Sequence, residues 1–366
     1  MQTSFHKSFK LNGKSFVNKE ALLQYSKTIN NSIVVFLTDW FNEQDFVVVQ
    51  TSGSTGKPKP IQIKKEFMKN SALATGDFFN LSENTTALLC LSTDYIAGKM
   101  MLVRALVLGW ELDIVDPISN PLKDLNKEYD FSAMVPLQLR NSLEELDRIK
   151  QLIVGGGVVA NDLIEVIQEK KTKIFATYGM TETVTHIAVK KLNHFTLFRV
   201  EATKQSLNKK DVYKEEFYQT LPNVELSQDN RNCLVINAPK VANEQIVTND
   251  VVNLLSETTF EWLGRFDNVI NSGGVKLHPE KIEEKLSKVI TQRFFVAGVS
   301  DTILGEKLIL IVEDVNSIEA KKSLKTKLEK LDKLSKYEIP KEIYFVDQFI
   351  ETETKKIQRS KTLDFI

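Results

Sequence analysis

Short apolar runs alternate with stretches of helical periodicity over the first half of the chain, and that alternation limits the available folds more than any other feature. The runs are FVVVQ at 46–50, TALLCLS at 86–92, ELDIVD at 111–116, SAMVP at 132–136 and QLIVGGG at 151–157. A strand–helix–strand repeat predicts parallel sheets wrapped by helices, an α/β class. In open sheets of this kind ligands sit beyond the carboxyl ends of the strands, so residues that directly follow each run are the ones to inspect. FVVVQ runs straight into Thr51-Ser52-Gly53, TALLCLS ends on Ser92, and QLIV runs into three glycines.

Near Gly264 the character changes. GRFDNVINSGGVKLHPEKIEE is turn-rich and leads into a helix, followed by FFVAGVS, KLILIVE, a helix from about Ile318 to Leu334, and EIYFVD. This pattern predicts a compact α+β unit of roughly 100 residues. A chain of 366 residues exceeds a typical domain of roughly 100 to 200, so two unequal domains are expected, at 1–266 and 267–366.

Composition excludes several classes of function. Hydrophobic residues make up 42% and charged residues 26%, the balance of a globular chain rather than a disordered or membrane one. Lys plus Arg equals Asp plus Glu at 48 each, so no global positive field exists to attract nucleic acid or an anionic membrane. The two cysteines, Cys90 and Cys233, lie in apolar settings with no metal or disulfide spacing, which reads as core residues in a reducing compartment. The start, MQTSFHKSFKLNGKSF, lacks the apolar core of a signal peptide, and the apolar stretch Met100 to Trp110 is broken by Arg104. A cytoplasmic protein without integral membrane association is expected. A homodimer is left open.

The segment after FVVVQ is Thr51-Ser52-Gly53-Ser54-Thr55-Gly56-Lys57-Pro58-Lys59. Glycines let the backbone approach an anion, hydroxyls add neutral donors, and lysines supply charge without fixed geometry. Two residues separate Gly53 from Gly56, so this is not a Walker loop, which needs four. By composition alone a solvated Gly/Ser loop is the alternative. The string TSGSTGKPK, however, resembles the signature loop of the adenylate-forming superfamily, which includes acyl-CoA synthetases, peptide-synthetase adenylation domains and luciferases.

The resemblance implies a fold with a large N-terminal domain of sheets wrapped by helices and a small mobile C-terminal α+β domain. It also implies ATP, Mg²⁺ and coenzyme A as cofactors and co-substrates, and a small carboxylic acid as the partner to be activated. The loop residues Thr51 to Lys57 hold the β- and γ-phosphates in that family. Gly155, Gly156 and Gly157 match a backbone against which the purine lies, and a plain tight turn is the alternative there. Tyr178-Gly179-Met180-Thr181-Glu182 is similar to the second signature: Tyr178 stacks on adenine, Thr181 donates to the α-phosphate, and Glu182 holds Mg²⁺. One carboxylate suffices for that metal when phosphates supply further ligands.

Asp250 resembles the aspartate that accepts from both ribose hydroxyls. Asn249 precedes it where the family has Gly, and Asn tolerates the positive φ expected there. Arg265 matches an arginine on ribose or phosphate, Asp267 the hinge position, and Lys276 a cofactor-side contact. In the terminal segment TETKKIQR, Lys356 aligns with the adenylating lysine, and Lys355 replaces the usual Gly. An exposed Arg or Lys beside a Gly turn, or a solvated basic tail, is the alternative reading of these positions.

The resemblance runs from about residue 46 to 361, with little before the phosphate loop and a reduced segment between 190 and 245, so an N-terminal portion is expected to be missing. DYIAGKMMLVRAL, MVPLQLRNSLEEL and TYGMTETVTHIAVKKLN look like the compact ortho-succinylbenzoate–CoA ligases of menaquinone biosynthesis. That substrate needs an apolar wall and a cation for its spectator carboxylate. Lys99, Arg104 and His186 are the candidates for that cation, and Tyr95 stands where many relatives in the family place an aromatic or His that gates the acyl tunnel; packing alone would also explain Tyr95 or His186. Ligases of other aryl or short acyl acids, an adenylating domain that loads a carrier protein, and a non-catalytic nucleotide-binding relative are the rival readings.

Overall fold

The computed structural model describes residues 5–50, 60–194, 217–315, 318–329, 331, 334–352 and 357–366. Six strands run parallel as neighbours in the order Lys10–Leu11, Glu111–Ile114, Thr86–Leu89, Tyr129–Met134, Ile149–Val154 and Lys173–Gly179. Successive side chains alternate between two apolar layers, as the pleat requires. Ala87, Leu89, Phe131, Ala133 and Ile153 face one layer, with Met68, Ala72 and Leu102 of the helices Lys65–Phe79 and Ile96–Leu108. Leu88, Met134, Leu152, Val154 and Ile174 face the other, with Leu163 and Ile167 of the helix Asn161–Ile167.

The same sheet continues past Gly179 with every neighbour antiparallel: His186–Lys191, Tyr218–Thr220, Thr259–Arg265, Ile246–Ser256, Cys233–Asn237 and Glu225–Gln228. The expectation of a parallel sheet thus holds only as far as Gly179. Several connections here are too short for the crossover that parallel pairing needs; two residues separate Ser256 from Thr259 along the chain. FVVVQ is a second correction. Phe46–Gln50 pairs antiparallel with Pro60–Lys64 in a separate two-stranded ribbon, in which Val47 and Val49 are buried and Val48 faces solvent.

From Ile270 a five-stranded sheet forms a second unit: Val275–Leu277, Ile270–Ser272, Gly305–Glu313, Phe294–Asp301 and Glu342–Val346. Val296, Leu308 and Leu310 pack on Ile282 and Leu286 of the helix Pro279–Leu286 and on Leu324 and Leu328 of the helix Ile318–Glu329. That second helix ends at Glu329, short of Leu334. The hairpin at its start turns on Gly273 and Gly274, with φ of 59° and 80°, the pair of positive values a tight hairpin turn demands. Only Phe266–Val269 separates this sheet from the strand Thr259–Arg265.

Cys90 and Cys233 are free and buried, as a core role predicts. Among the described residues no helix is long and apolar enough to cross a membrane.

Candidate functional site

The ends of the parallel strands assemble one edge of the site. Gly155 directly follows Ile149–Val154, and a Cβ there would stand 2.5 Å from Thr177 Oγ1, so only glycine lets the two strand ends approach this closely. Gly156 takes φ of 78°, and Gly157 lies open above Pro136. Tyr178 and Gly179 are the last two residues of their strand rather than part of a following loop. Thr181 and Glu182 sit in the turn Thr181–Thr183, Thr181 half-buried and Glu182 exposed.

That turn is held from within. Thr183 Oγ1 accepts the Met180 N–H at 3.1 Å, and Thr185 N donates to Thr183 O at 2.8 Å around Val184. Val184 has φ of 68° and ψ of −60°, a γ-turn in a region that costs a β-branched residue about 1–3 kcal/mol. Stored strain beside the metal-ligand candidate Glu182 is what a site of fixed geometry exhibits.

The antiparallel strands supply the opposite edge. Asp250 is buried at 7% exposure; its Oδ2 accepts from Tyr178 Oη at 2.7 Å and its Oδ1 from Trp262 Nε1 at 3.1 Å. Arg265 Nη1 lies 3.5 Å from Asp250 Oδ1 and Nη2 3.6 Å from Asp267 Oδ2. Burial and the adjacent Asp250 charge push the Tyr178 phenol well above its usual range, so it stays a donor. The Tyr178 ring stands edge-on to Phe260, centroids 5.1 Å apart.

Asn249 corrects an expectation. It lies in the strand Ile246–Ser256 with no positive φ, so no glycine-like turn exists for it to replace. Its side chain instead accepts from Arg231 Nη1 at 2.9 Å and donates to Asp267 Oδ2 at 3.4 Å.

A pocket of about 230 Å³ opens beside these strands, lined by Asn70, Ser71, Ala74, His186, Leu221 and Lys240 among others. Behind His186 stands Arg104, 1% exposed. Its described partners are Thr75 Oγ1 at 3.3 Å, Met101 Sδ at 3.6 Å and His186 Nδ1 at 3.4 Å, and among the described residues no carboxylate pairs with it. Burial pushes the guanidinium down to about 9, which leaves it charged at neutral pH.

Arginine only donates, so His186 Nδ1 accepts and Nε2 carries the hydrogen. That Nε2 is buried and has no partner among the described residues. Burial, with the Arg104 charge, holds His186 well below the usual histidine range and keeps it neutral. Lys99 has a different use: its ammonium donates to the backbone carbonyls of Thr93 at 2.6 Å and Asp94 at 3.0 Å. Tyr95, 61% exposed, begins the helix Ile96–Leu108. Gly98 lets that helix sit on the turn before it, because a Cβ there would be 2.2 Å from Ser92 O.

Lys276 lies exposed on the strand Val275–Leu277 and borders a second pocket of about 420 Å³ with Phe266, Arg231 and His278. Asp267 sits in the turn Phe266–Asn268, within the short stretch joining the two sheets. The loop Thr51, Ser52, Gly53, Ser54, Thr55, Gly56 and Lys57, with Pro58 and Lys59, falls outside the described residues, and so do Lys355 and Lys356. Their flanks are fixed. Gln50 pairs with Pro60, and Glu351 pairs with Ile357. Arg359, three residues after Lys356, binds Glu283 Oε2 at 2.8 Å and the Val296 carbonyl at 3.3 Å. Sequence reasoning did not single out Trp262, Arg231 or Arg359. Arg359 stood inside the quoted terminal segment, whereas nothing local marks Trp262.

The chain is similar to known proteins in sequence and in fold. A sequence profile described as "AMP-binding enzyme" matches residues 12–212. The 2-succinylbenzoate–CoA ligase of Bacillus cytotoxicus is 25% identical over 354 residues, covering 89% of this chain and 71% of that one. That of Bacillus subtilis is 26% identical over 340 residues, covering 87% and 68%. A Dyadobacter fermentans protein described as acyl-CoA synthetase (AMP-forming)/AMP-acid ligase II-like is 37% identical, covers 91% of this chain and 93% of its own, and superposes with a TM-score of 0.58. The fold is also that of the Bacillus subtilis O-succinylbenzoate coenzyme A synthetase solved with ATP and magnesium ion, at a TM-score of 0.68, 22% identity, and coverage of 87% and 69%. With more than half its length matched by that profile, the chain belongs to the AMP-binding enzyme family.

Proposed function

We propose that this chain is an AMP-forming acid–thiol ligase that joins ortho-succinylbenzoate to coenzyme A through an acyl-adenylate. In this reading Asp250 and Arg265 take the ribose, Tyr178 and Gly155 to Gly157 border the adenine, and residues 51–57 hold the terminal phosphates. Thr181 donates to the α-phosphate. Mg²⁺ would be held by Glu182 and neutralise charge on the phosphates. The residues present suit that ion: among the described residues no group of three or more acidic, His or Cys side chains forms a protein cage, and a single exposed carboxylate completed by phosphate oxygens is the usual magnesium arrangement.

The observation that carries the choice of acid is the buried Arg104, which has no carboxylate partner among the described residues. A guanidinium withdrawn from water and left without a counter-charge costs several kcal/mol unless an anion completes it. The His186 Nε2–H beside it, without a partner among the described residues, is a second buried donor on a residue that lines the pocket. Together they suit a second carboxylate on the substrate, while the reacting carboxylate points toward the nucleotide. Lys99, held by two carbonyls, acts by fixing the turn that carries Tyr95 at the mouth of the acyl site.

Lys356 bridges the reacting carboxylate and the α-phosphate in the first half-reaction. The carboxylate oxygen attacks phosphorus in line, and pyrophosphate leaves. Preorganised charge of this kind is the main source of rate in phosphoryl transfer. The unit from residue 267 onward then turns about Asp267 so that the coenzyme A thiolate displaces AMP in the same site, and Lys276 comes to the cofactor side.

Pyrophosphate release measured against a panel of aryl and fatty acids, with and without coenzyme A, tests the proposal. Turnover that requires both ortho-succinylbenzoate and coenzyme A is expected. Turnover on fatty acids alone overturns the choice of acid. Adenylate without thioester points to a carrier protein as acceptor, and ATP binding without turnover to a non-catalytic relative.

A further inference from the structure

The nucleotide edge contains a residue whose placement depends on an irregularity in the sheet. In the ladder between Ile246–Ser256 and Thr259–Arg265, Asp250 faces Arg265 and Val251 faces Gly264, but Val252 faces Trp262. Leu263 is therefore an extra residue, a β-bulge. Side chains three apart on a regular strand point to opposite faces. The bulge restores the parity, so Trp262 and Arg265 both emerge on the face of Asp250. The indole N–H then reaches Asp250 Oδ1 at 3.1 Å while Tyr178 Oη occupies Oδ2 at 2.7 Å.

A carboxylate has about four lone-pair sites, two on each oxygen. Trp262 and Tyr178 each take one, on different oxygens. These two donors leave one site on each oxygen, with the Arg265 guanidinium an ion-pair neighbour 3.5 Å from Oδ1, which is the geometry needed to receive two neighbouring hydroxyls at once. Neither donor can titrate away near neutral pH, so the hold is permanent. Trp262 and Tyr178 together stop the carboxylate from rotating about its Cβ–Cγ bond.

We propose that Trp262 is a positioning residue for nucleotide selection. It acts through Asp250 and gives the site its preference for a nucleotide bearing both ribose hydroxyls. The inference rests on the assignment of Asp250 to the ribose, and it assigns to an indole in the strand a role that the motif residues do not cover.

Calorimetric titration of the full chain with Mg²⁺–ATP and with Mg²⁺–2′,3′-dideoxyATP separates the possibilities. Wild-type protein is expected to bind ATP about 100-fold more tightly than the dideoxy nucleotide. Trp262→Phe, which keeps the ring and removes the donor, is expected to weaken ATP about ten-fold and leave dideoxyATP unchanged. Trp262→His, which restores an N–H, recovers part of the difference and serves if the Phe variant does not fold. Equal weakening of both nucleotides, or discrimination that survives intact in Trp262→Phe, overturns the inference alone. If wild-type protein binds both nucleotides alike, the ribose assignment itself fails and the inference falls with it.

Discussion

In the parallel half of the large sheet the candidate residues lie just beyond or at the ends of strands, on turns built from glycine and hydroxyl side chains. In the antiparallel half they lie within strands, as side chains joined to a buried carboxylate across the ladder. Gly155, Thr181 and Glu182 belong to the first kind; Asp250, Trp262 and Arg265 belong to the second. The difference teaches what each half is suited to. Turns at strand ends present backbone N–H groups and exposed ligands to phosphates and metal. A ladder fixes a carboxylate in a chosen orientation because both strands are held by their own hydrogen bonds.

The comparison sharpens most if the chemical step belongs to neither half. Lys356→Ala is expected to slow ATP–pyrophosphate exchange by about 10²- to 10³-fold while calorimetric ATP affinity stays near wild type. A large loss of ATP affinity instead would make Lys356 part of the binding edge. Next in size, Asp250→Ala is expected to weaken ATP about 100-fold by removing the antiparallel edge's acceptor. If the turns of the parallel half held the nucleotide unaided, affinity would barely change.

Arg104 breaks the comparison, since it is a helical residue buried behind His186, which lines the pocket. Arg104→Met is expected to stabilise the ligand-free protein by about 1–4 kcal/mol, seen as a rise in Tm, and to raise KM for the acid about 10- to 100-fold. A fall in Tm would mean that the guanidinium is already satisfied in the folded state.

The smallest effect concerns His186. It is neutral when folded, whereas the unfolded chain takes up its proton below pH about 6.5. The unfolded state then binds more protons, so stability is full above that pH and falls as the pH drops, by up to about 1.4 kcal/mol per pH unit. His186→Gln should flatten the decline of Tm between pH about 7 and about 5. An unchanged slope would assign the acid sensitivity elsewhere, with the half-buried His278, also held low by burial, the next residue to replace.

Much of this was legible from residues close together in the chain. The strand runs at 86–92, 132–136 and 151–154, the glycines at 155–157, the hairpin at Gly273-Gly274 and the small α+β unit are local patterns, and the structure places an element at each. The helix expected to reach about Leu334 runs over Ile318–Glu329, and Leu334 lies outside it, because a pattern of Lys, Leu and Glu does not mark its own end.

Other features arise only when distant segments meet. FVVVQ carries three valines in a row, and nothing in the run says that Val48 faces water. The switch to antiparallel pairing after Gly179 follows from which strand lies alongside, not from the composition of the strand itself. Arg104 is a candidate cation in the sequence, but its burial appears only when the helix Ile96–Leu108 packs against the sheet and the helix Lys65–Phe79, where among the described residues no carboxylate pairs with it. Local sequence fixes periodicity and turn chemistry because these depend on neighbours within a few residues. Register, the bulge at Leu263 and the desolvation of a charge depend on groups tens of residues away, and only the packed structure brings them into contact.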